Sequence, residues 1–112
     1  MTTERTLAFE RFETIRKFLC TSERNITEGK MMRSPAIHYK NKVFAFFSTK
    51  DRMVFKLGKV LDLSQYNFEI LVFNPFKNKG PLTGWYEVDY INNDYWEQLA
   101  QKALEQIQKE VK

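Results

Sequence analysis

Apolar residues recur along this chain with two different periods. Near the start, Ala8, Phe12, Ile15 and Leu19 fall three or four positions apart, the repeat of a helix that buries one stripe. Phe9 and Phe18 widen the stripe, and Thr2 or Thr3 stands where an N-cap is expected. Near the end, Trp96, Leu99, Ala100, Ala103, Leu104, Ile107 and Val111 draw a second, cleaner stripe behind Asp94 and Glu97, which have the spacing of a capping box. Between these helices the pattern shifts to short β-type runs: "AIHY", "VFAFFS" and "MVFKL", then "FEILVF" and "WYEVDY". The separators "KNK" and "TKD" are hairpin-sized, so the first three runs predict an antiparallel meander. "SERNITEGKMMRSP" holds turn formers and Pro35 and reads as a connection, while "KVLDLSQY" reads as a short helical turn.

The predicted order is helix, three strands, short helix, two strands, helix. It is most simply an α+β two-layer sandwich, a five-stranded antiparallel sheet with the N- and C-terminal helices on one face, in a single domain over residues 1–112. In "VFAFFS" strict alternation sets Val43, Ala45 and Phe47 on one side and Phe44 and Phe46 on the other. Helices on one side only then leave one apolar set near solvent, open to a ligand, a partner or a second copy.

Composition narrows the classes. Ten phenylalanines, five tyrosines and two tryptophans in 112 residues supply enough apolar area for one core. The longest apolar run, Val43 to Phe47, is far short of the ~20 residues that cross a bilayer, and "MTTERTLAFER" lacks the apolar centre of a signal peptide. A cytoplasmic protein without membrane contact is the expectation. Cys20 is the only cysteine and His38 the only histidine, so an internal disulfide is excluded and a Cys/His zinc site lacks ligands; no metal or cofactor is expected. Cys20 reads as a reduced thiol beside the first helix's stripe.

Net charge is +4, unevenly spread. Residues 1–28 balance, residues 29–59 carry +7 and residues 60–112 carry −3. Lys40, Lys42, Lys50, Arg52, Lys56 and Lys59 make the middle third a candidate surface for nucleic acid or another polyanion, with Lys77 and Lys79 as auxiliary contacts in the loop "NPFKNKGPLTG". If Phe44 and Phe46 share that side, the sheet resembles one that stacks bases between cations; the alternative is a solvated basic rim.

"KMMRSPAIHYKNKVFAFF", "MVFKL", "FNPFKNKGPLTGWYEVDY" and "DYWEQLAQKAL" together resemble the TfoX N-terminal domain and the related YjbR-like small proteins over roughly residues 28–108. The resemblance implies the same two-layer α+β fold and a binding or regulatory module with no established catalytic residues to carry over. It also implies a link to competence regulation, although the second, helical domain of TfoX has no counterpart in this chain. Met31, Met32 and Arg33 stand where the family has Met-Phe-Gly.

Catalytic arrangements lack their minimal parts. Gly80 and Gly84 match neither a dinucleotide nor a Walker spacing and read as a corner that closes the sheet in preference to a ligand loop. Glu87 and Asp89 share a strand face, either as an acid/base pair or cation site or as a solvated edge with one of them opposite a lysine on a neighbouring strand. His38 has no identifiable nucleophile or orienting acid. Protein interaction or homodimerisation through a sheet face or edge, and a small-molecule or enzyme pocket near Trp85 and His38, are the other two readings.

Overall fold

The computed structural model describes residues 3–31, 34–58, 61–74 and 82–110. Helix α1 (Thr3–Ser22) leads into strands β1 (Ile26–Met31), β2 (Ser34–Tyr39), β3 (Lys42–Phe47) and β4 (Met53–Lys56). A 3₁₀ turn at Leu63–Gln65, strands β5 (Leu71–Val72) and β6 (Trp85–Val88), a 3₁₀ stretch at Tyr90–Tyr95 and helix α2 (Trp96–Glu110) complete the chain. The strands form one antiparallel sheet in the order β1-β2-β3-β4-β6-β5. This is the expected α+β architecture, with six strands in place of five. Among the described residues no helix is long and apolar enough to cross a membrane.

The predicted stripes are the ones buried. Ala8, Phe12, Ile15 and Leu19 of α1 and Trp96, Leu99, Ala100, Ala103, Leu104 and Ile107 of α2 pack onto Ile37, Ala45, Phe47, Met53, Phe55 and Val88 of the sheet. Phe9 and Phe18 do not extend the α1 stripe inward, since both remain partly exposed. Asp89 caps the 3₁₀ stretch that runs into α2, its Oδ1 accepting from the Ile91 amide, and among the described residues Asp94 makes no side-chain hydrogen bond of the expected capping box. Val111 and Thr2 lie outside the described residues.

The additional strand is β1, within a segment whose turn formers predict a connection. Only Ile26 and Met31 are apolar in "ITEGKM", so no alternation betrays it. It is held by a full backbone ladder, Ile26 opposite Tyr39 through Met31 opposite Ser34. Gly29 permits this pairing, because a Cβ there would collide with the His38 imidazole. Lys40 and Asn41, at φ 49° and 70°, then turn β2 into β3 as a two-residue hairpin of the type whose twist matches its strands.

Strict alternation fails at Phe44. Ile37 lies opposite Ala45 but His38 opposite Val43, so β3 carries one residue more than β2 at that point. Phe44 and Ala45 consequently both join the helix-covered core, while Phe46 joins Ala36, Val54, Phe73 and Trp85 on the opposite face. Among the described residues no helix covers that face, yet Phe46 is 1% exposed and Val54 fully buried. The rings of Phe73 and Trp85 lie 5.3 and 5.6 Å from the Phe46 ring and form a second, small core. The chain thus covers with its own aromatics the face that was expected near solvent.

Candidate functional site

An antiparallel meander puts successive turns at opposite ends of its sheet, and this divides the basic residues into two groups. At one end, the hairpin between β2 and β3 carries Lys40 and the start of β3 carries Lys42, both exposed. The Lys40 amide donates to the carbonyl of Asn25 at 2.9 Å, which draws Arg24, at the exit of α1, to the same end. Asn25 makes this possible by adopting φ 68°, where asparagine is among the tolerated residues. Lys40 Nζ lies 5.6 Å from the Tyr39 ring centroid. Among the described residues Arg24, Lys40 and Lys42 enter no ion pair.

Lys50 and Arg52 sit at the other end, in the turn from β3 to β4, roughly 20 Å of strand away at ~3.3 Å per residue. Ser48 builds that turn, its Oγ accepting from the amides of Lys50 and Arg52 at 3.2 and 3.4 Å. Arg52 faces inward: its guanidinium lies 3.5 Å from Glu87 Oε2 and 3.5 Å from Asp89 Oδ2. Lys56 Nζ donates to Glu110 Oε1 at 2.9 Å, and that hydrogen bond holds the Glu110 carboxyl below its ordinary range. Lys59, Lys77 and Lys79 lie outside the described residues. Of the predicted cations that are described, Lys40 and Lys42 stand at one end without ion pairs among the described residues, whereas Arg52 and Lys56 are engaged by Glu87, Asp89 and Glu110.

Glu87 and Asp89 form the solvated-edge arrangement only in part, since Glu87 is 7% exposed and its Oε1 is buried without a hydrogen-bond partner among the described residues. Arg52 is what makes that carboxylate tolerable. Arg52→Ala is expected to destabilise the fold by about 1–3 kcal/mol, because it strands a buried charge, and Glu87→Gln added to it is expected to recover much of the loss. Paired thermal melts check this; equal melts for Arg52→Ala and the parent would show that Glu87 is hydrated instead.

The remaining candidates are dispersed. Phe44 and Phe46 are buried on opposite faces, so neither presents a ring for stacking. His38 and Trp85 stand on β2 and β6 with β3 and β4 between them, at least about 14 Å apart at the usual strand spacing. Trp85 is 9% exposed and belongs to the second core. His38 has a buried Nε2 above Gly29 with no hydrogen-bond partner among the described residues. Among the described residues, clefts lie elsewhere: one of about 390 Å³ bordered by Phe9, Ser34, Phe47 and Ser48, one of about 340 Å³ between Phe18 and Leu104, and an open one of about 620 Å³ along Cys20, Arg24 and Asn25. Comparison with protein-family models, curated proteins and solved structures returns no match for this chain. Burial, then the Glu28 carboxylate, pushes the Cys20 thiol up, so it resists forming the nucleophilic thiolate.

Arg24 was not among the sequence candidates, because the charge of residues 1–28 sums to zero. The only local signal for it was Asn25, a residue that ends helices in a left-handed conformation.

Proposed function

We propose that this chain is a non-enzymatic binding module, similar to TfoX N-terminal and YjbR-like domains, that holds a nucleic acid or related polyanion by its phosphates. The observation that carries the reading is the convergence of Arg24, Lys40 and Lys42, three cations without ion-pair partners among the described residues, at one end of the sheet. The helix-strands-helix order supports the family assignment within this proposal. With Phe44, Phe46 and Trp85 buried, binding runs through backbone charge and discriminates little between base sequences.

Three phosphate contacts release about three counterions, so affinity for duplex DNA is expected to drop roughly 40-fold between 50 and 200 mM salt. Fluorescence polarisation of labelled duplex and single strands at the two concentrations measures this. The Lys40→Glu/Lys42→Glu variant is expected to lose binding, whereas Lys50→Glu, at the far end, retains it. Binding indifferent to salt, or lost equally in both variants, would refute the site. Protein contact is the second reading, favoured by the open β1 edge and by Leu7, Phe18 and Ile91, the last 84% exposed.

A further inference from the structure

We infer that the chain forms a two-fold dimer by pairing β1 with β1 of a second copy about an axis through Gly29. This deepens the protein-contact reading and is independent of polyanion binding. β1 is an edge strand, and its opposite number β5 is only two residues long. The bond from the Lys40 amide to the Asn25 carbonyl sets the phase of the β1–β2 ladder. Alternation then turns the backbone groups of Thr27, Gly29 and Met31 toward β2 and those of Ile26, Glu28 and Lys30 outward. Among the described residues nothing bonds to the outward groups of Glu28 and Lys30. Such a row is a template for another strand unless the sequence blocks it, and no proline does so here.

Charge selects the partner and the register. In an antiparallel pair, outward groups must meet outward groups; a two-fold axis at any residue of the strand satisfies this, and axes at Glu28 and Gly29 give the longest overlap. An axis at Glu28 sets Glu28 against its own copy, and one at Lys30 sets Lys30 against its own copy; both are repulsive. Only the axis at Gly29 sets Glu28 opposite Lys30 twice, and it makes the same patch serve both subunits, as a closed dimer requires. Arg16 leaves Glu28 available, since it lies 3.7 Å from Glu28 but 2.6 Å from Glu13. On the other face the pairing brings Met31, already packed on the second core, beside Thr27 of the second copy.

Sedimentation equilibrium from low to high micromolar concentration tests the inference, with circular-dichroism melts confirming that each variant folds. The parent is expected to sediment as a dimer. Lys30→Glu, whose side chain has no ion pair among the described residues, and Glu28→Lys are each expected to weaken association on the order of tenfold or more. The exchanged double variant Glu28→Lys/Lys30→Glu restores it, and the two single variants mixed together form a mixed dimer. Glu28→Pro removes an outward amide without touching the β2 ladder and yields monomer. A parent that stays monomeric at high micromolar concentration, or a dimer indifferent to these exchanges, overturns the inference; neither result bears on the DNA titration.

Discussion

Trp96→Ala is expected to lower the stability of the domain by about 3–5 kcal/mol, the usual range for deleting a buried tryptophan. The ring is fully buried where α2 meets the sheet, and its Nε1 donates to the Val88 carbonyl at 3.2 Å. The truncation therefore removes apolar contact with the helix-covered core and leaves an acceptor on β6 without its donor. For a chain of 112 residues that corresponds to a melting temperature lower by roughly 12–20 °C. Against a total stability of about 5–15 kcal/mol, the loss removes a large share of what holds the domain folded. A melt within two or three degrees of the parent would mean that α2 does not seat through Trp96.

Phe46→Ala makes an equally large demand on the opposite face and is expected to cost about 3–5 kcal/mol. Among the described residues nothing helical covers that face, so the prediction rests on the aromatic contacts of Phe46 with Phe73 and Trp85 and on Val54 lying buried beside them. Phe18→Ala is the control: at 47% exposed, the ring should contribute within about 0.5 kcal/mol. Thermal melts of the pair decide whether the sheet has one core or two. Should Phe46→Ala melt with Phe18→Ala, the helix-free face would be solvated and available to a ligand after all.

The helices and most strands were legible because their apolar residues keep the period of the element they form. The α2 stripe is the clearest case, with all its members in the described part of the helix buried. Backbone-specified features were not legible. β1 pairs along its whole length although its side chains alternate nothing apolar, and the bulge that moves Phe44 to the helix side leaves no trace in "VFAFFS". Because face assignment past a bulge inverts, the idea of Phe44 and Phe46 as one stacking platform could not survive it. The basic site was half legible. Charge counting found Lys40 and Lys42, but it also pooled them with Arg52 and Lys56, whose partners Glu87 and Glu110 are 35 and 54 positions away in sequence. Arg24 is brought to the site by a single backbone bond between two loops.

Two-dimensional amide spectra of the ¹⁵N-labelled chain, recorded while duplex DNA is titrated in at low salt, test the functional account most directly. The account predicts shifts concentrated at residues 24–25 and 39–43, with the turn around Lys50 and Arg52 unmoved and the whole pattern suppressed by added salt. Shifts centred on the β3–β4 turn, or no shifts at all, would contradict it.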